Sequence, residues 1–236
     1  MIIEMELNIP PKFFESAKEE NDFESVSERI AKQFITSILN VPKVQRGNAE
    51  LREPDYISGK NGYEITFAIK EAHIPQLKGI KPVDSSSWNI EQELIENITV
   101  AVKRKAVKDY TCPTSLVIIS LENLYIWYHS VYNKETDWFG QLAWRVYNKK
   151  RNDFFKKLFD NYIATGTFDN IFLIQPTHNK EFVLFDIRKH AEGSEEFITR
   201  VGVSHPEFFP TYSVVNVIRE TDQEPIKFRT TIINRN

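Results

Sequence analysis

An α/β fold is predicted by three features of the sequence. Apolar residues recur at helical spacing in three segments, around Val26–Leu39, Ile90–Val102 and Trp138–Phe154. Short β-branched and aromatic runs alternate with them, among them YEITFAIK at 63–70, NIFLIQP at 170–176 and EFVLFDI at 181–187. One run, SLVIISL at 115–121, is almost continuously apolar, as a strand buried on both faces would be.

Taken in order, residues 1–22 read as an N-terminal extension, with IPPKFF an extended entry and KEEND a polar loop. A first helix is expected from Glu24 to Leu39, with Val26, Ile30, Phe34, Ile35, Ile38 and Leu39 on one face. Asn21 or Asp22 would cap it, and Asn40-Val41-Pro42 would end it. KVQRGNAELREPDYI then approaches as a strand, and SGKNG is a concentrated turn signal. In the strand YEITFAIK, Tyr63, Ile65, Phe67 and Ile69 share one face, while Glu64, Thr66, Ala68 and Lys70 share the other. HIPQLKGIKPVDSSSW reads as a loop, because Pro75 and Pro82 exclude a long helix.

A second helix is expected from about Asn89 to Asp109, with the stripe Ile90, Leu94, Ile95, Ile98, Ala101 and Val102. Lys105 lies seven residues after Ile98 and continues that inward stripe. LYIWYHS at 124–130 reads as another strand, and 136–164 as a long helix rich in aromatics and lysines. NIFLIQP and EFVLFDI form a predicted hairpin, and YSVVNVI and FRTTIIN are strand-like. Without a repeat or a clear linker, residues 23–236 read as one α/β domain: a core at about 24–121 and a C-terminal α/β elaboration at about 122–236.

Composition narrows the chemistry. The chain has 236 residues and a formal charge of −3, so nucleic-acid binding would need a local basic patch. The single cysteine, Cys112, excludes an internal disulfide and suits a reducing cytoplasm; beside Pro113 it reads as a buried structural thiol. No basic leader or apolar span is seen, so no membrane association is expected. Gly-rich phosphate loops, a Ser elbow and zinc-type Cys or His spacing are absent. NKKRNDFFKK, with Lys149, Lys150, Arg151, Lys156 and Lys157 around Phe154 and Phe155, reads as an amphipathic helix; the alternative is a phosphate-gripping, base-stacking face. Trp138, Phe139, Leu142, Val146 and Phe154 are assigned to the core of that helix.

The stretch REPDYISGKNGYEITFAIK places Pro54-Asp55 and Glu64-Ile65-Thr66 on either side of a turn. On these residues alone, the two acids are either a metal site or solvated charges beside a hairpin. The order helix, acidic strand, turn, acidic strand, helix, apolar strand resembles the PD-(D/E)XK nuclease superfamily, over roughly Glu24 to Leu121. That resemblance implies a restriction-endonuclease-like αβββαβ core, with a mixed sheet flanked by helices. It further implies Mg²⁺ (or Mn²⁺) on Asp55 and Glu64, and DNA as the partner. Phosphodiester hydrolysis suits such a pair, because hard carboxylate oxygens on adjacent strands hold a divalent cation while leaving positions for water and substrate.

The third signature position is Thr66 where the superfamily usually has lysine. Threonine can bond a water but supplies no charge. Lys70 shares the face of Glu64 but lies ~20 Å along the strand at ~3.3 Å per residue, too far to substitute. Lys105 is the better replacement, its stem long enough to carry the ammonium to the strand edge, and Lys103 is second. Glu28 occupies a position where the resemblance implies an accessory acid, and it reads equally as a solvated helix charge; Gln92 lies beside the apolar stripe.

Two functions follow. One is a metal-dependent deoxyribonuclease of restriction, repair or mobile-element type, with Asp55, Glu64, Lys105, Thr66 and Glu28 as its site. The other is a catalytically inactive module of the same fold that binds nucleic acid or protein, which Thr66 favours. An unrelated α/β protein would leave the two acids far apart. The elaboration would either cover the cleft or build a homodimer.

Overall fold

The computed structural model describes residues 2–9, 32–33, 35–36, 40–41, 43–68, 86–88, 90–120, 125–132, 134–176, 181–202, 211–218 and 227–234. In chain order the elements begin with β1 (Ile2–Ile9), β2 (Gln45–Arg46), β3 (Tyr56–Ser58), β4 (Asn61–Ala68) and β5 (Ser86–Trp88). There follow α1 (Ile90–Ala106), β6 (Thr114–Ser120), α2 (Tyr125–Tyr132), α3 (Trp138–Leu158) and β7 (Ile171–Pro176). The last are β8 (Glu181–Asp186), α4 (Ile187–Ala191), β9 (Ile198–Gly202), β10 (Thr211–Ile218) and β11 (Lys227–Asn234).

The larger sheet has seven strands in the order β2-β3-β4-β6-β7-β8-β9. Its first three strands form an antiparallel meander; β4, β6 and β7 run parallel; and β7, β8 and β9 are antiparallel again. The chain is thus an α/β protein with a mixed sheet and flanking helices. Parallel neighbours require crossovers, and the helices supply them. α1 connects β4 to β6 and packs on both, while α2 and α3 lie between β6 and β7 and pack on each other. All seven residues of β6 are buried, as its apolar run demands.

β3 and β4 are joined by the two-residue turn Gly59-Lys60, closed by the Ser58–Asn61 pair. Gly59 has φ +60°, the left-handed backbone that so tight a hairpin needs. Both faces of β4 are packed: Tyr63 and Ile65 on one, and Glu64, Thr66 and Ala68 on the other, are all buried. Its alternation therefore separates two packed faces rather than core from water. Leu94, Ile98, Ala101 and Val102 of α1 are buried, with Ile95 packed against them.

LYIWYHS is a correction, since Tyr125–Tyr132 is helix α2 rather than a strand. Aromatic packing decides it. Trp127, fully buried, meets the rings of Phe154 and Phe155 at 5.8 and 5.4 Å. Arg151, also buried, ties α2 to α3 by donating to Trp127 O at 3.2 Å and to Ser130 Oγ. Its remaining donors reach Asn148 Oδ1 at 2.6 Å and Asn152 Oδ1 at 2.9 Å, and burial pushes the guanidinium down to about 10. α3 runs over most of the predicted helix, capped by Asp137 and continuing as a π turn over Phe159–Ile163. Trp138 is a second correction. At the first turn it projects beyond the packed stripe and is 42% exposed, whereas Phe154 and Phe155 are buried and Lys149, Lys150, Lys156 and Lys157 are exposed.

A second sheet of four strands has the order β10-β1-β11-β5. Ile2–Ile9 pairs antiparallel with β10 and parallel with β11, so the start of the expected N-terminal extension is a strand with a neighbour on each side, while the rest of IPPKFF beyond Ile9 lies outside the described residues. Ser86–Trp88, expected as loop, forms β5 against β11. Among the described residues no helix is long and apolar enough to cross a membrane.

Candidate active site

Asp55 precedes β3 and is held from both sides. Its carbonyl oxygen accepts the Gly47 N–H at 3.0 Å, and its carboxylate Oδ2 accepts the Ile65 N–H at 2.7 Å. The second bond fixes the Asp55 side chain to the residue that follows Glu64. Two glycines permit this approach. A Cβ on Gly47 would overlap Pro54 O, and one on Gly62 would meet Pro54 Cγ, Thr114 Oγ1 at 2.8 Å and Cys112 Sγ at 2.9 Å. The Pro-Asp segment is thereby pressed against the start of β4.

Glu64 lies on β4 with 1% exposure, so its charge must be met inside the protein. Lys105, on the last turn of α1, donates to Glu64 Oε1, and Lys108 donates to the same oxygen at 2.7 Å. The two ammonium groups differ in setting: the Lys105 side chain is 15% exposed and that of Lys108 50%. Arg104 Nη2 donates to Thr66 Oγ1 at 2.6 Å, so this hydroxyl is already engaged as an acceptor. Tyr110 donates to the Lys105 carbonyl at 3.4 Å and stands beside Glu64.

Protonation preferences follow from this crowding. Burial, followed by the negative charge of Glu64, pushes the Asp55 carboxyl above its ordinary range; the Ile65 N–H and the two lysines offset part of that. Burial opposes charge on Lys108, but the hydrogen bond and charge of Glu64, with Asp55 beyond, hold it above the ordinary lysine range. Burial, then Glu64 and Asp55, push the Tyr110 hydroxyl strongly upward, so it stays protonated as a donor. The site is thus two close acids, one of them strained by its own charge, faced by two lysines.

Among the residues proposed from sequence, Asp55, Glu64, Thr66 and Lys105 come together here. Lys103 is exposed on α1. Gln92 lies in the first turn of α1, and Glu28, Ile69 and Lys70 lie outside the described residues. Lys108, Arg104 and Tyr110 were missed. Lys108 follows Lys105 by three residues, but α1 ends at Ala106, and a turn with Lys108 N–H on Lys105 O at 3.1 Å delivers it. Cys112 is also corrected: it is half-buried and lines a cleft, because Pro113 ends the turn just before β6.

Among the described residues no group of three or more His, Cys, Asp or Glu side chains is arranged to hold a metal ion. Asp55 and Glu64 are the carboxylates that could hold a cation, since Mg²⁺ takes as few as one or two and keeps its waters. Asp55 Oδ1 is outside the Ile65 bond and Glu64 Oε2 outside both lysine bonds, and the charge strain on Asp55 is what a cation relieves. No protein-family model matches the chain, and no curated protein or solved structure matches it either.

Proposed function

We propose that the chain is a metal-dependent phosphodiesterase acting on DNA, built on a restriction-endonuclease-like core. The observation that carries this is the convergence of Asp55, Glu64 and Lys105 from the residue before β3, from β4 and from the crossover helix. The antiparallel meander β2-β3-β4 followed by a helical crossover to parallel β6 supports the same core.

Asp55 and Glu64 would hold Mg²⁺ or Mn²⁺, which when bound supplies Lewis acidity at the phosphate and a more acidic water. The chain's own groups do the rest. Lys105, anchored on Glu64 Oε1, keeps a positive charge where negative charge grows during hydrolysis, standing in for the lysine that Thr66 replaces. Lys108 is the more exposed of the two partners of the buried Glu64, so its ammonium is the one that an incoming phosphate can reach while Lys105 keeps Glu64 paired. Tyr110 stays protonated and donates within the cluster. Arg145, Lys149, Lys150 and Lys157 are exposed on α3 and give a basic surface for the phosphate backbone.

One observation favours a catalytically silent module instead: Glu64 is buried and paired twice, and Thr66 is occupied by Arg104. Isothermal titration of Mg²⁺ and Mn²⁺ into wild type and Asp55→Asn, with DNA cleavage measured on the same samples, separates the two. Metal binding that Asp55 supports, with cleavage, is expected. Metal binding without cleavage, or no metal binding at all, would favour the module.

A further inference from the structure

Beside the acid–lysine cluster lies a cleft of about 630 Å³, a volume typical of small-ligand sites. Lys108, Tyr110, Cys112, Thr167, Phe168 and Arg188 line it. Lys108 and Tyr110 belong to both places, so these two side chains link the cleft to the buried Glu64. We propose that this cleft seats the nucleotide adjoining the phosphate that is cut, with its base against Tyr110 and its own phosphate between Lys108 and Arg188. This rests on the phosphodiesterase reading and names the part of the substrate held outside the acid pair.

The lining chemistry selects such a ligand. The half-buried Tyr110 ring is backed by the buried Phe168 ring, 6.4 Å away and tilted at 45°, and so gives a firmly held aromatic surface on which a base can pack. The Lys108 ammonium is 6.0 Å from the Tyr110 centroid, placing a cation at one end of that wall. Arg188 supplies the other cation. Its guanidinium donates to Asp169 O, with Nε at 2.9 Å, and meets Asp169 Oδ1 at 3.7 Å in a pair exposed 39% and 59%. So exposed an ion pair is weakly held, but Nε and Nη2 both donate to the Asp169 carbonyl, so Nη1 is the donor that meets a phosphate. Asp109 also lines the cleft but its side chain is 92% exposed, so solvent screens it. The far wall is built rather than loose. Phe168 is buried with its N–H on Tyr162 O at 2.8 Å, Asp169 N–H reaches Thr114 O at 2.8 Å, and Gly166 turns the chain at φ +77°.

Cys112 is the single cysteine of the chain and half-buried in the cleft, so its reaction with a thiol reagent reports occupancy. The rate is measured in EDTA with deoxyadenosine monophosphate, a single-stranded deoxyadenylate tetramer, deoxyadenosine, or inorganic phosphate. The monophosphate and the tetramer are expected to slow labelling about tenfold at ten times their half-protecting concentration, by simple mass action. Nucleoside or phosphate alone, at the same concentration, should protect less. Thr167→Trp, which fills the cleft from an exposed turn, should abolish protection, and Arg188→Gln should weaken it. An unchanged rate with every probe, or full protection in both variants, overturns the proposal; protection by the monophosphate but not the tetramer refutes a substrate-strand site. Asp55→Asn should lose cleavage yet keep protection. Protection with no cleavage by wild type leaves the cleft standing and removes the phosphodiesterase. Cleavage by wild type without protection, and at the wild-type rate in Thr167→Trp, removes the cleft alone.

Discussion

Lys105→Met tests how the buried charge of Glu64 is held. Glu64 is 1% exposed, and its Oε1 has two cationic partners, Lys105 at 15% exposure and Lys108 at 50%. Stripping a buried ion of its only partner costs about 3–5 kcal/mol. Here Lys108 remains 2.7 Å away, so Lys105→Met should cost less, roughly 2–3 kcal/mol by the same scale. Lys108→Met removes the more exposed partner, whose charge solvent already screens in part, and should cost less, roughly 1–2 kcal/mol. For a chain of this size each kcal/mol moves Tm by about 2–4 °C, so the two variants separate. The assay is urea unfolding, with a lower midpoint at unchanged m-value expected for Lys105→Met. Adding Glu64→Gln to Lys105→Met should restore much of the loss, because the stranded charge is then gone; the cycle should show coupling of about 1 kcal/mol or more. DNA cleavage, assayed well below Tm, should fall in Lys105→Met while DNA affinity stays nearly constant. Equal stability of Lys105→Met and Lys108→Met, or no rescue by Glu64→Gln, would refute the buried-charge account.

Asp55→Asn should raise stability at neutral pH without metal. The folded-state value is raised, so stability from the protonated acid is present below about 3.8 and is lost as pH rises through the folded value, whereas Asn still accepts the Ile65 N–H; Tm against pH for both proteins checks this. His190, packed against Phe155 and Phe197 and bonded to Asn152 Oδ1, is held below its ordinary range by burial and then by Arg151. Its unfolded form takes up a proton first, so stability should fall as pH drops from about 6.5 through the folded value, and that slope should flatten in His190→Phe. Gly62→Ala should cost about 1–3 kcal/mol by overpacking against Pro54, Thr114 and Cys112, and should lower metal affinity by moving Asp55; chemical unfolding and Mg²⁺ titration read the two effects.

Much of the fold is legible in local pattern. The apolar run of β6, the Leu94–Ile98–Ala101–Val102 stripe of α1 and the paired runs of β7 and β8 each state their burial by spacing alone. α2 defeats that approach. Its aromatic residues favour a strand by propensity, and only packing of Trp127 on Phe154 and Phe155, distant in sequence, makes it a helix. β1 and β5 are equally opaque, because their partners β10 and β11 lie far along the chain. At the site, Lys105 is readable since it continues a helical stripe. Lys108 and Tyr110 are not, because they reach Glu64 after the helix has ended, where periodicity says nothing. Glu64 itself reads as half solvated until α1 is seen to cover that face.

The most direct test of the central claim is cleavage of linear and supercoiled DNA by wild type, Asp55→Asn and Glu64→Gln, in Mg²⁺, in Mn²⁺ and in EDTA. Wild type is predicted to cut with either metal and not in EDTA, and each variant to lose about two orders of magnitude or more in rate. Absence of cutting by wild type under all conditions, or cutting at the wild-type rate by both variants, would contradict a phosphodiesterase centred on Asp55 and Glu64.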